Sequence, residues 1–117
     1  MKILILVFGL LAYAGCQNDD ETVKAEFESD ATWQNQLQFD GCDWHFSIPS
    51  GKIYLNYVPN VASLKKVEAV VGPSKDTFGS YEVHLKYTPT GIKRDVKCGW
   101  GYTASYEEVE VLEIRKK

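Results

Sequence analysis

The sequence is poor in the side chains that do covalent chemistry. Its 117 residues include two histidines and three cysteines, with neither a Gly-x-Ser-x-Gly segment for a serine nucleophile nor a His-Glu-x-x-His segment for a catalytic zinc. Basic charge is also short: 13 Lys and Arg stand against 16 Asp and Glu, a net charge of −3. Such a surface lacks the cationic field that phosphate backbones require, so no nucleic acid partner is expected, and charge alone would not hold the chain on anionic lipid. The most apolar run, residues 3–11, stops far short of the roughly 20 residues that cross a bilayer. Repeats and Pro-rich linkers are missing too. What is left is one domain of ordinary globular composition, 44% hydrophobic and 25% charged.

The N-terminus carries an export signal. Lys2 gives a positive start, residues 3–11 an apolar stretch, and Ala12-Tyr13-Ala14-Gly15-Cys16 puts small residues before a cysteine, so residues 1–15 read as a signal peptide. Ala14-Gly15-Cys16 resembles the end of a bacterial lipobox, with Tyr13 where an aliphatic residue is usual; the resemblance implies lipidation of Cys16. The competing reading takes Ala12-Tyr13-Ala14 as an ordinary signal-peptidase site and leaves a soluble protein starting at Gly15. Cysteine count bears on the choice. Three thiols in an oxidising compartment leave one unpaired, and a lipid on Cys16 leaves Cys42 and Cys98 as an even pair. A bridge between those two would close 56 residues of chain and remove about 4 kcal/mol of freedom from the unfolded state. Residues 16–22 then form an acidic tether, Cys16-Gln17-Asn18-Asp19-Asp20-Glu21 at its head. It resembles the tract that directs lipoproteins of Bacteroidetes-type bacteria to the outside of the outer membrane. The expected location is the bacterial outer membrane, lipid-anchored and surface-exposed; the alternative is periplasmic or secreted.

Residues 23–117 show period-two alternation nearly throughout. Val23, Ala25, Phe27, Ser29, Ala31 and Trp33 share one face of a first strand. Cys42, Trp44, Phe46 and Ile48 share one face of a second, with Asp43, His45 and Ser47 on the other. Pro49-Ser50-Gly51 turns the chain into a third strand, residues 52–58, with Ile53, Leu55 and Tyr57 inward. Val61, Leu64, Val67, Val70 and Val71 fit a short helix ended by Gly72-Pro73. A fourth strand covers residues 81–88, ending in a turn at Pro89 and Gly91, and a fifth covers 106–115. Its alternation slips between Val111 and Leu112, the mark of a bulge or of a strand buried on both faces. Three strands, a helix and two strands is the order of a five-stranded OB-like barrel, mainly β with one short helix; an open β-sandwich is the alternative.

Gly41-Cys42-Asp43-Trp44, Cys98-Gly99-Trp100-Gly101 and the valine-rich residues 108–114 resemble segments of small Bacteroidetes-type outer-membrane lipoproteins, over roughly residues 23–115. The resemblance implies an OB-like barrel stapled by Cys42–Cys98. It brings no catalytic residue with it.

Cys42-x-x-His45, His84 and Cys98 make a Cys2His2 inventory, but residues 42 and 45 of one strand point to opposite faces, so no metal site is expected. His45 and His84 are assigned to the surface. Glu26 and Glu28 share a strand face at a spacing that glycosidase carboxylates could use, yet alternating acids are the ordinary solvated side of a strand. Lys93-Arg94-Asp95-Val96-Lys97 reads as a solvated turn. The candidate binding residues are Trp100, Tyr102 and Tyr106, in or beside a loop spaced by Gly99 and Gly101 that lets the backbone come close to something. The same loop could instead fold over the barrel mouth with Trp100 as its plug. The reading is therefore a non-catalytic, lipid-anchored envelope lipoprotein that binds a protein partner or glycan, without a cofactor. The alternative is a small secreted enzyme or enzyme inhibitor acting through the 98–106 loop.

Overall fold

The computed structural model describes residues 25–117. The expected signal peptide, the lipidation site Cys16 and the acidic tether lie outside the described residues. Five strands, β1 Phe27–Asn35, β2 His45–Ser50, β3 Ile53–Pro59, β4 Gly79–Lys97 and β5 Thr103–Lys116, accompany one helix, α1 Val61–Val71. They close into a barrel in the order β1-β2-β3-β5-β4. Every neighbouring pair is antiparallel except β3 with β5, which run parallel because α1 carries the chain across. This is the OB-like order, and closure through the pairing of β3 residues 57–59 with β5 residues 107–109 rules out the open sandwich.

Alternation fills the interior. Trp33 of β1, Phe46 of β2, Val83 and Leu85 of β4, and Val109 and Val111 of β5 are at most 1% exposed and form the centre of the core. Helix α1 starts where the Asn60 side chain accepts a hydrogen bond from Ser63 N at 2.9 Å, and it buries Val67 and Val71 against the barrel. The slip foreseen near Val111 is a bulge: Tyr87 pairs with Val111 and Lys86 with Glu113, leaving Leu112 as the extra residue. At that bulge, α1 supplies the missing partners. The Val111 amide donates to Ser63 Oγ at 2.8 Å, and the Val111 carbonyl accepts from Lys66 Nζ at 3.1 Å.

The pattern misplaced several details. Pro89 and Gly91 do not turn the chain. Pro89 pairs with Val109 and Lys93 with Glu107, so Thr90, Gly91 and Ile92 bulge opposite Glu108 within one continuous β4. Residues 93–97, expected as a solvated turn, are strand residues paired with residues 103–107 of β5. Bulges and turns recruit the same residue types, which is why the two look alike in sequence. Phe27, Ile53 and Val61, expected to face inward, are exposed because they sit at element ends beyond the core's reach. The Cys42–Cys98 disulfide is formed, across the 56 residues expected.

Candidate functional site

The register of β4, β1, β2 and β3 sets two rows of outward side chains across the sheet. Ser80, Gln34 and His45 are partners in one row; Glu82, Thr32, Ser47 and Asn56 are partners in the next. The residues one step along, Trp33, Phe46, Tyr57 and Tyr81, pair with each other as the sheet's apolar phase. Over the polar rows opens a groove of about 530 Å³, walled by Gln36, Gly41 and Cys42 from the β1–β2 connection, Tyr54 of β3 and Tyr106 of β5.

These walls bury part of what would otherwise be a solvated face. His45 is 4% exposed and Ser47 8%, against the surface position expected for the histidine. The cause is overhang. The Tyr106 ring lies 5.2 Å from the His45 ring, centroid to centroid, and its hydroxyl donates to Cys42 Sγ at 3.5 Å. His45 Nδ1 stands 2.8 Å from the Asp43 carbonyl oxygen. A carbonyl can only accept, so Nδ1 carries the proton and Nε2 of the neutral ring is an acceptor. Nε2 lies 3.4 Å from the Gln34 amide nitrogen. Burial holds the His45 pKa below its ordinary value, although its bond to Asp43 pulls the other way. Among the described residues the one carboxylate lining the groove, Glu82, accepts from Thr32 Oγ1 at 3.2 and 3.3 Å.

The groove wall is fixed from behind. Asn35, at the end of β1 and 1% exposed, donates to Asp43 Oδ1 at 2.7 Å and to the Asp76 carbonyl at 3.2 Å, and accepts from Leu37 N at 2.9 Å. Gly99 N donates to the Gly41 carbonyl and Asp43 N to the Lys97 carbonyl, each at 2.8 Å, on either side of the Cys42–Cys98 bridge. A Cβ on residue 99 would sit 2.6 Å from Asp40 Cα. The close approach that Gly99 allows is thus to the protein's own β1–β2 connection.

Trp100 is 86% exposed, in the left-handed region at φ 62°, and Tyr102 is 59% exposed. Trp100 therefore fills no barrel mouth, and the plug reading is overturned. It borders a separate hollow of about 340 Å³ with Leu37 and Thr77. Phe39 and Phe78, 5.2 Å apart edge to face, are exposed as well. The predicted trio is thus split: Tyr106 belongs to the polar groove and Trp100 to an apolar hollow. Tyr102 stands in the open, close enough to help burial raise the Tyr106 pKa.

The bridge consumes both sulfurs of the Cys2His2 inventory. His84 lies elsewhere on the sheet, with Nε2 2.6 Å from Glu28 Oε2 and Nδ1 2.9 Å from Asp30 Oδ1. The sequence pattern did not single out Gln34, Ser47 or Asn56, because each alone reads as the wet side of a strand. The usable signal was that the alternate phase of β1 and β2 carries short neutral groups at residues 32, 34, 45 and 47, where charges fill residues 24–30. No protein-family model, curated protein or solved structure matches this chain.

Proposed function

We propose that this chain is a non-catalytic binding module of the bacterial envelope, anchored through lipid on Cys16, which holds a protein partner or glycan at the disulfide-tied end of its barrel. The observation that carries the reading is a preformed surface. A polar groove with Glu82 as its single charge and an exposed indole flank one rigid bridge, so a ligand would bind without first ordering either loop. The anchor is supported by cysteine count: with Cys42 and Cys98 bridged, Cys16 is the odd thiol that lipid would remove. Intact mass of the protein from its native membrane tests this part. A diacylglycerol-sized increment on Cys16 is expected, with two further thiols appearing after reduction; an unmodified chain starting at Gly15 would overturn the anchor. Binding to envelope fractions should fall in Trp100→Ala and Tyr102→Ala proteins of unchanged fold. The same rigid turn favours a second reading, an enzyme inhibitor presenting residues 98–102, since 103–106 of the expected loop are strand residues of β5; a secreted chain without lipid would be its first requirement.

A further inference from the structure

We infer that the groove across β1, β2 and β3 is a binding site for a neutral oligosaccharide, with His45 as the residue that fixes the hydrogen-bonding pattern of its floor. The inference rests on the binding-module reading and gives that module a ligand class. Neighbouring strands stand about 4.8 Å apart and alternate residues about 7 Å apart, so the two rows make a grid of amides and hydroxyls on the scale of a pyranose ring. Gln34, His45, Ser47 and Asn56 supply both donors and acceptors there, as a sugar hydroxyl requires. Tyr54, 66% exposed, and Tyr106 stand at the rim with ring faces for the apolar side of a sugar.

Other ligand classes fit less well. Among the described residues no Lys or Arg lines the groove, so a phosphate, sulfate or uronate would find Glu82 and no cation there. A peptide strand would add along unpaired backbone, whereas the rows that floor this groove are side chains of paired strands. The groove's volume, about 530 Å³, lies within the ~300–1,000 Å³ of small-ligand sites. His45 works here as a neutral acceptor. Around its ring stand Asp43 of the β1–β2 connection, Gln34 of β1 and Tyr106 of β5, with Glu82 of β4 in the neighbouring row. Protonation would turn Nε2 into a donor facing the Gln34 amide nitrogen, removing the acceptor and disturbing its neighbour.

The test is titration calorimetry of the full chain with neutral tetra- to hexasaccharides of gluco, manno and N-acetylglucosamine type, beside uronate and sulfated oligosaccharides and unstructured peptides. Saturable binding of a neutral oligosaccharide is expected, weakened about tenfold in Asn56→Ala and in Tyr54→Ala, positions whose side chains lie outside the core. His45→Gln, which keeps an acceptor, should lose less than His45→Ala. Acidification below the ordinary histidine range should weaken binding to the wild type and leave His45→Gln unchanged. Ile92→Ala, an exposed apolar position of β4 outside the groove, should bind the sugar normally. Binding of only anionic sugars or peptides, no binding, or indifference to Asn56→Ala and Tyr54→Ala would each overturn the inference. If sugars fail while Trp100→Ala still abolishes binding to envelope fractions, the module reading survives without this ligand; if both fail, both fall.

Discussion

The outer face of β1 is divided in two. At its start, Glu28 and Asp30 pair with His84, and Asp30 Oδ2 also accepts from Lys117 Nζ at 2.7 Å; nearby, Lys86 lies 3.6 Å from Glu113. Four residues further along, Thr32 and Gln34 belong to the groove, with His45, Ser47 and Asn56 beside them. The first half is charged, open to water and internally paired. The second carries no charge on β1 itself, with Glu82 of β4 its one carboxylate, and is partly enclosed and walled by a bridged loop. Charges on an open strand face satisfy one another or water and need no ligand. Neutral polar groups held under an overhang keep donors and acceptors aimed into a shared space, which is what a binding site requires. Each half also has one histidine, and the two are driven in opposite directions.

The sharpest way to break this difference is to remove the wall. Reducing Cys42–Cys98, or replacing both with serine, should lower unfolding stability by about 4 kcal/mol on the chain-entropy model, read as a shift of the urea midpoint. The groove half should suffer more than the charged half, visible as faster amide exchange over residues 36–44 than over β1's first turn of pairing with β4. Asn35→Leu attacks the same wall more locally. It strips Leu37 N and Asp43 Oδ1 of a partner, while the Asp76 carbonyl keeps its bond from Trp44 Nε1 at 3.1 Å. A loss of about 2 kcal/mol is expected by urea denaturation, with the disulfide still formed. An unchanged midpoint would mean that the β1–β2 connection holds its shape without Asn35.

Much of this architecture could be read from period alone. The alternation of Val83, Leu85 and Tyr87 and the 61–71 helix stand where expected, because each is decided by burial on one local face. Even the Leu112 bulge shows as a slipped phase. β4 was cut short at Pro89 because a single strand's sequence does not tell whether a Pro and a Gly turn the chain or bulge against a partner. The groove was illegible for a related reason. Gln34, His45 and Ser47 sit on three different strand positions, and only cross-strand register brings them into rows. Nor does any local pattern reveal the overhang of Tyr106, which comes from 61 residues beyond His45 in the chain. The sequence left Trp100 open to two readings, a binding residue or a plug. Its left-handed backbone, set by a turn of Gly99 and Gly101, aims it outward instead.

The smallest effect, and the one that most directly compares the two halves, is in the pH dependence of stability. Hydrogen bonds to Asp30 and then Glu28 raise the His84 pKa above its ordinary 6.5. The folded state binds that proton more tightly, so the His84 contribution is fully present below pH 6.5 and is lost as pH rises through the folded value. Burial lowers the His45 pKa below 6.5. Its folded state prefers the neutral ring, so that contribution is present above pH 6.5 and is lost as pH falls through the folded value. The two slopes oppose each other, and urea midpoints measured from pH 5 to 8.5 should pass through a maximum near the ordinary histidine value. Asp30→Asn should flatten the alkaline limb while leaving the acid limb in place. His45→Gln should relieve the acid limb and leave the alkaline one. If one substitution flattened both limbs, the two histidines would be titrating as a coupled pair, and the division of the β1 face into a paired half and a receptive half would have to be abandoned.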